Sequence, residues 1–355
     1  MKKKIILVIL LALGAYIFNT LKNAGVFLTI GNNFKGTVEV LNSPVGVEDI
    51  TINHETGEAF LSSHNRRNKE TNGAIYLLKL NDSTVNYINL TQKLPFKDFR
   101  PHGISLFQTP DKRNLLFVIN HRPEGDFVEK FEYKNDSLVH LQSFTNPLFE
   151  SLNDLLATGE HTFYVSNDHS KNKGLWRKIT DFLKIPTGSV VYFDGKNAKQ
   201  VTDKIAYANG VNWSKDHKTV FVASTLNNEI YVYNRQENGD LTKIYTKELG
   251  IGPDNIEVDT EGMIWVACHP QPLKFLGHAK SAEKHSPSVV LKLVYIPEAD
   301  YKFLQEGIYS NDGSQLSGSS VAAYYERDRS KNDSDLLVGS VFENKILRLH
   351  RDYSK

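Results

Sequence analysis

The chain has 355 residues, with 42 Lys and Arg against 41 Asp and Glu, so its formal net charge is +1. This balance argues against a protein that binds nucleic acid through bulk electrostatics, which needs an excess of basic residues. The single cysteine, Cys268, excludes an internal disulfide and a thiolate-rich zinc or iron–sulfur site. Hydrophobic residues make up 40% of the chain, too many for a disordered protein and enough for a buried core.

The N-terminal segment has the pattern of a membrane signal. Three lysines at positions 2–4 precede an uncharged, largely apolar run over residues 5–21. We predict an N-terminal hydrophobic helix over residues 1–25, which is either an uncleaved signal anchor or a cleaved signal peptide. A buried core helix is the remaining alternative. Because the positive flank stays inside, both membrane interpretations place the body of the protein in the periplasm or outside the cell.

Short runs of β-branched and aromatic residues recur along the rest of the chain and predict strands. They recur about every 55 residues, the repeat length of four-stranded propeller blades, and align on Phe60, Phe117, Tyr164, Phe221, Trp265 and Leu337. We therefore predict an all-β fold, a six-bladed β-propeller over residues 36–355. Residues 37–41 are expected to close the ring by pairing with the last blade. A β-sandwich or a two-domain β protein is the alternative.

A short polar group precedes each of the first five aligned positions: Glu48-Asp49, His102-Gly103, Asn153-Asp154, Asn209-Gly210 and Asp254-Asn255. Equivalent positions on the inner strands of a propeller converge on its axis. Oxygen ligands without sulfur suit Ca²⁺ before Mg²⁺. We predict a central calcium site formed by Glu48, Asn153, Asn209, Asp254 and Asn255, and a second, more buried ion held by Asp49 and Asp154. The alternative for each single group is an ordinary turn residue.

Helical spacing of apolar residues occurs in one further segment, residues 173–183, where Lys173 and other basic residues are interleaved with Trp176. This pattern predicts a basic amphipathic helix that lies on a membrane surface or packs on the top of the propeller. Elsewhere helical periodicity is almost absent. If this helix holds the mouth of the pocket near a bilayer, partly apolar substrates are favoured. Arg66, Arg67 and Lys69, in a nearby predicted loop, favour anionic substrates instead.

Nine segments in chain order carry a family resemblance: GVEDI at 46–50, PHGIS at 101–105, VINH at 118–121, SLND at 151–154, FYVSNDH at 163–169, ANGVN at 208–212, DNIEV at 254–258, WVACHP at 265–270 and GSSVA at 318–322. In these segments the chain resembles the serum paraoxonase/arylesterase family of calcium-dependent six-bladed propellers. Family members of animal origin tie their terminal strands with a disulfide. This chain departs from that pattern, because Cys268 matches the family's unpaired cysteine.

The resemblance implies a role for individual residues. It implies that the five oxygen ligands hold a catalytic calcium, and that Asp49, Asp154 and the backbone carbonyl of Ile104 hold a structural calcium. It implies that His102 is the general base and His121 its partner, with Asp168, His169 and His269 supporting the site. The alternative for the two histidines is ordinary polar packing at strand ends.

The chemistry predicted from these residues is hydrolysis by direct attack of water. A calcium ion polarises a carbonyl oxygen, and a neighbouring histidine takes the proton from water. The chain has neither a G-x-S-x-G nor an H-E-x-x-H motif, so a serine hydrolase and a zincin have no support. We predict a membrane-anchored, calcium-dependent arylesterase or lactonase that acts on a small ester or lactone. The alternatives are a gluconolactonase-like sugar-lactone hydrolase and a non-catalytic propeller that binds protein.

Overall fold

The N-terminal apolar run forms one exposed helix. The computed structural model describes residues 2–350 apart from 69, 95, 97, 172, 173 and 332, so Lys69 and Lys173 lie outside the described residues. Helix α1 (Lys2–Asn23) has no buried residue and a mean hydropathy of 2.1 over its most apolar window. Its 22 residues span about 33 Å, close to the hydrocarbon thickness of a bilayer. Among the described residues it is the one helix long and apolar enough to cross a membrane.

The strands that follow form six antiparallel sheets of four strands each. Blade 1 consists of β2 (Val47–Asn53), β3 (Glu58–Ser63), β4 (Ala74–Lys79) and β5 (Tyr87–Asn89). Blade 2 consists of β6 (Pro101–Gln108), β7 (Asn114–Arg122), β8 (Gly125–Tyr133) and β9 (Leu138–Phe144). Blade 3 consists of β10 (Leu152–Ala157), β11 (Phe163–Asn167), β12 (Ser189–Phe193) and β13 (Ala198–Gln200).

The remaining three blades repeat this order, and the last one borrows a strand from the N-terminal side. Blade 4 consists of β14 (Ala208–Trp213), β15 (Thr219–Ser224), β16 (Glu229–Arg235) and β17 (Leu241–Glu248). Blade 5 consists of β18 (Gly252–Val258), β19 (Met263–His269), β20 (Ser288–Tyr295) and β21 (Phe303–Asn311). Blade 6 consists of β22 (Ser319–Asp328), β23 (Asp333–Ser340), β24 (Lys345–His350) and the first strand, β1 (Thr37–Asn42).

Strand β1 closes the ring. It pairs antiparallel with β24 from Thr37 opposite His350 to Asn42 opposite Lys345. The predicted six-bladed propeller and its closing strand are therefore confirmed, and the β-sandwich alternative is wrong. Cys268 is buried and unpaired, so closure rests on strand pairing and packing.

Six hydrophobic clusters fill the six spaces between neighbouring blades. Each cluster contains one of the six positions on which the repeats align, and none of these side chains is more than 5% exposed: Phe60, Phe117, Tyr164, Phe221, Trp265 and Leu337. Burying a large apolar side chain contributes about 1.5–3 kcal/mol. The six aligned side chains therefore hold adjacent blades together, which explains why the repeat is visible in the sequence.

Short helices lie in loops at one end of the ring. Helix α2 (Leu175–Phe182) falls within the predicted segment 173–183. Helix α3 (Pro272–Lys280) was not predicted, because helical periodicity is almost absent from this part of the sequence. Its apolar residues Leu273 and Leu276 face solvent and therefore give no core-facing periodicity, while Pro272 occupies the first turn, where proline is tolerated. A 3₁₀ turn spans Arg329–Lys331.

Candidate active site

The inner strand of each blade is interrupted at its polar residues. The register of the inner pair shifts between Val47 and Asp49 in blade 1 and between Pro101 and Ile104 in blade 2. Corresponding shifts occur in the other four blades. Such bulges bend a strand and redirect side chains. The consequence is a set of contacts that run from one inner strand to the next around the axis.

The five predicted oxygen ligands lie together at this ring of bulges. Each is at most 4% exposed: Glu48, Asn153, Asn209, Asp254 and Asn255. Asn255 Nδ2 donates to Glu48 Oε1 at 3.1 Å, which connects blades 5 and 1. Asn209 Nδ2 donates to Asp254 Oδ1 and, at 3.1 Å, to Thr225 Oγ1.

Four buried oxygens of this set have no hydrogen-bond partner: Glu48 Oε2, Asn153 Oδ1, Asn209 Oδ1 and Asn255 Oδ1. A buried acceptor without a partner costs about 1–3 kcal/mol, and an oxygen-binding cation would remove that cost at all four. The described residues contain no metal-binding group of three or more His, Cys, Asp or Glu, because three of the five side chains here are amides. The donor set therefore fits a hard cation that accepts neutral oxygens, as Ca²⁺ does.

A second pair of carboxylates crosslinks neighbouring inner strands. Asp49 accepts hydrogen bonds from the Ile50 N–H at 2.9 Å and the Ile104 N–H at 2.7 Å. Asp154 accepts from the N–H groups of Leu155 at 2.7 Å and Val211 at 2.8 Å. Burial, followed by the charges of neighbouring carboxylates, raises the pKa of both groups well above the usual range. The pair therefore requires a cation or a proton to offset its charge.

Glu257 is a third acidic group of this region and has no role in the sequence analysis. It lies two residues after Asn255 on β18, just beyond the bulge. Burial and the charges of Asp49 and Asp154 raise its pKa. Glu257, Ile104 and Asp154 line an axial cavity of about 310 Å³. Asp154 and Glu257 are therefore reached from this cavity.

Three side chains form a hydrogen-bonded line beside the ligand ring. His102 Nδ1 lies 2.8 Å from His121 Nε2, and His121 Nδ1 lies 2.7 Å from Asp126 Oδ1. Because a carboxylate only accepts, His121 Nδ1 carries the hydrogen and Nε2 accepts from His102 Nδ1. His102 Nε2 is then left with a free lone pair, 3.5 Å from Glu48 Oε1. Burial, offset in part by Glu48, lowers the pKa of His102, so it is neutral at pH 7.

Asp126 was missed by the sequence analysis, although the sequence holds a usable indication. It follows His121 after Arg122, Pro123, Glu124 and Gly125. Proline and glycine between two strand-like runs predict a tight hairpin. In the structure β7 and β8 place His121 directly opposite Asp126. Asp126 Oδ2 also accepts the Leu152 N–H at 2.8 Å, which fixes the carboxylate against blade 3.

The three supporting residues named by the resemblance fall into two places. His269 Nε2 lies 2.7 Å from Asp254 Oδ2 and orients that candidate ligand. Asp168 and His169 instead connect the site to α2. His169 lies 3.0 Å from Asp168 and 2.6 Å from Asp181, and Arg177 lies 3.1 Å from Asp168. Burial lowers the pKa of His169, but its contacts with the acceptor oxygens of Asp168 and Asp181 outweigh that effect and raise the pKa overall.

Comparison with known proteins identifies the family. A family model described as Arylesterase matches residues 56–347. The chain belongs to the arylesterase family. Serum paraoxonase/arylesterase 1 of Homo sapiens is 33% identical over 313 residues, which cover 85% of each chain. Serum paraoxonase/arylesterase 2 of Rattus norvegicus is 35% identical over 280 residues, which cover 77% of this chain and 76% of the relative. The resemblance predicted from the nine segments is confirmed.

Comparison with solved structures supports the fold of this arylesterase-family chain but no more specific property. A gluconolactonase from Xanthomonas campestris has a TM-score of 0.54 at 13% identity and covers 89% of this chain and 90% of its own. Regucalcin, a calcium-binding protein from Agrobacterium tumefaciens, has a TM-score of 0.53 at 15% identity, with coverages of 91% and 97%. Both share the propeller with the arylesterase family member described here.

The mouth of the arylesterase-family site is bordered by α2 and by the β3–β4 loop, residues 64–73. Leu175, Trp176 and Phe182 on α2 are 74%, 54% and 57% exposed, whereas its polar residues Arg177 and Asp181 face the site. The segment after α1 is docked at the same end, because Gln271 Nε2 donates to the backbone oxygens of Gly25 and Leu28. The exposed apolar surfaces of α1 and α2 therefore belong to the end of the ring that holds the site.

Proposed function

We propose that this arylesterase-family protein is a calcium-dependent hydrolase of carboxylic esters and lactones. The observation that carries the proposal is the hydrogen-bonded line of His102, His121 and Asp126 next to buried oxygens without partners. Glu48, Asn153, Asn209, Asp254 and Asn255 would hold one Ca²⁺, and Asp49, Asp154 and the Ile104 carbonyl a second. Calcium at the first position supplies a Lewis acid for the carbonyl oxygen of the substrate.

The remaining chemistry belongs to side chains of the protein. His102 Nε2 takes a proton from water, and the resulting positive charge is shared along the line through His121 toward the Asp126 carboxylate. Asp126 holds His121 in the tautomer that keeps Nε2 free to accept, and this in turn keeps His102 Nε2 unprotonated. The line is 18% exposed at His102 and 34% at His121, so water reaches it from the mouth.

The location that we propose follows from α1. The helix is long enough to anchor the protein, and the lysines at its start favour the inner side of a membrane. The propeller then lies on the periplasmic or extracellular side, with its mouth close to the bilayer through α2. The gluconolactonase-like alternative has support from the fold alone, since its structural neighbour shares 13% identity against 33–35% for the paraoxonases.

The test is an assay of the full-length protein in detergent, with phenyl acetate and a panel of lactones. We expect turnover in calcium, its loss in EDTA and its return when calcium is restored. His102→Gln should lower kcat/KM by about 10²-fold or more, the contribution of a general base, with an unchanged melting temperature. His161→Gln, an exposed histidine in the β10–β11 turn, is the matched control. Absence of calcium-dependent turnover on every substrate would refute the proposal.

A further inference from the structure

The β3–β4 loop carries two adjacent arginines with different surroundings. Arg67 contacts other parts of the propeller rather than the site. Its guanidinium donates to the backbone oxygens of Phe342 at 2.9 Å and His278 at 2.8 Å, and it lies 4.9 Å from the centre of the Phe342 ring. His64 Nε2 braces the same loop against the Thr71 carbonyl at 2.9 Å. These contacts hold the loop over the mouth. They also fix the position of Arg66, which lies between His64 and Arg67 in the chain.

Arg66 turns in the opposite direction, toward the candidate ligands. Its side chain is 17% exposed, and Nη2 lies 3.6 Å from Glu48 Oε2, too far for a hydrogen bond. Its hydrogen bonds are long ones, both at 3.3 Å, to the backbone oxygens of Gly46 and Pro101. Burial lowers the pKa of Arg66 while Glu48 and Asp254 oppose that effect, so the guanidinium stays charged.

Two other arginines near the mouth have close carboxylate partners. Arg100 lies 3.2 Å from Asp98, and Arg177 lies 3.1 Å from Asp168. The carboxylate that Arg66 faces is Glu48, at 3.6 Å, and Glu48 is also a candidate metal ligand. When Glu48 and Asp254 balance a divalent cation, the charge of Arg66 has no counterpart among these groups. A guanidinium fork that is 17% exposed and keeps unused donors suits a carboxylate, which it can bind through two hydrogen bonds.

We propose that Arg66 binds a carboxylate group of the substrate, so that the preferred substrates are esters or lactones that carry a negative charge near the scissile carbonyl. This inference rests on the proposed function and specifies its substrate class. Arg66 acts as a substrate-binding residue, while His102 and the ligand ring act on the carbonyl. The approach of an anion along the mouth is also favoured by the positive charge of Arg66.

The test compares two esters with the same leaving group, phenyl acetate and monophenyl succinate. In Arg66→Met the ratio of kcat/KM for the anionic ester to that for the neutral ester should fall by about tenfold or more, the effect of losing one hydrogen bond to a charged group. Arg66→Lys should recover part of the ratio, because the charge remains without the fork. Arg113→Met, which removes an arginine paired with Asp111 and Glu160 in the β6–β7 turn, is the control and should leave the ratio within about twofold.

A binding measurement separates this inference from the proposed hydrolase activity. Succinate, titrated calorimetrically into the calcium-loaded protein, should bind the wild type and bind Arg66→Met at least about tenfold more weakly. Calcium affinity after chelation should not fall in the variant, which excludes an indirect effect through Glu48. If neither ester is hydrolysed by the wild type, the proposed function fails, and succinate binding still decides the role of Arg66. An unchanged ester ratio, or equal succinate affinity in the two proteins, would overturn the inference.

Discussion

Asp126 uses both of its oxygens, and this determines what a single substitution does. One oxygen accepts from His121 Nδ1 at 2.7 Å and the other from the Leu152 N–H at 2.8 Å. The first contact sets the tautomer of His121, and the second ties the carboxylate to the next blade. Burial raises the pKa of Asp126, but the hydrogen bond from His121 outweighs it, so the pKa lies below the ordinary value and the carboxylate is ionised at pH 7.

Asp126→Asn should lower kcat by about 10- to 100-fold, the range for residues that orient a catalytic group. Asparagine has one acceptor, so it serves either His121 or Leu152, and its amide presents a donor to the other. The measurement is kcat and KM for phenyl acetate, with KM expected to stay within about twofold because the substrate does not contact this residue. Asp136→Asn, on an exposed turn of the same blade, is the control. A variant with wild-type kcat would show that Asp126 does not position the dyad.

Single residues differ in how far the sequence could predict them. The candidate oxygen ligands could be predicted because they recur at one place in a repeat. Arg66 and Arg67 could not be told apart, because two adjacent loop arginines look alike until Phe342 and His278 are brought against one of them. These partners lie more than 200 residues away in the chain. Such contacts are set by closure of the ring and leave no local pattern.

At the scale of elements, the β3–β4 loop carries a buried histidine that makes the stability of the protein depend on pH. His64 is 7% exposed and lies at its base. Burial, followed by the charge of Arg66, lowers the pKa of His64 to about 4. The neutral form is therefore preferred in the folded protein. Its contribution to stability is fully present above pH 6.5 and is lost as the pH falls from 6.5 toward 4.

His64→Gln should flatten this part of the pH dependence. Glutamine keeps a donor for the Thr71 carbonyl but does not titrate. Between pH 7 and pH 4.5 we expect the free energy of unfolding of the wild type to fall by about 1–3 kcal/mol more than that of the variant. Urea unfolding at the two pH values gives both quantities, and histidines elsewhere cancel in the difference. Parallel losses in the two proteins would mean that His64 is not destabilised when protonated.

Elements were predictable where burial leaves a visible pattern of apolar residues in the sequence. The second strand of every blade is buried on both sides, so its apolar run is continuous and stands out, as in β15, where all six residues are buried. The bulges that form the site were not predictable, because a one-residue shift in pairing has no fixed sequence pattern. Helix α3 was not predicted, because its apolar residues Leu273 and Leu276 face solvent and give no pattern of buried positions.

At the scale of the whole molecule, six residue pairs between β1 and β24 complete the ring. Leu41 is 6% exposed and joins the cluster between blades 6 and 1, so closure also buries apolar surface. Number and order of blades were predictable from the repeat, as was the closing strand. The assembly of one site from five inner strands could be expected only after the repeat had been recognised.

Truncation isolates the contribution of β1. A chain that starts at Gly36 keeps the closing strand, whereas one that starts at Ser43 lacks it. We expect the second to melt at least about 10 °C below the first, since several ladder hydrogen bonds and the burial of Leu41 are lost. Melting followed by circular dichroism in calcium provides the comparison. Equal melting temperatures would show that the ring is held by the clusters between the blades rather than by β1.

Pairing of β1 with β24 also sets the order in which the protein can fold. Thr37 is synthesised early, yet its partner His350 is made roughly 300 residues later. Joining ends so far apart costs about 5 kcal/mol of chain entropy beyond a constant. Until then the nascent chain exposes two unpaired strand edges, which are sites of intermolecular pairing. Refolding of the diluted protein should therefore be slow in its final phase, and its yield should decrease as protein concentration rises.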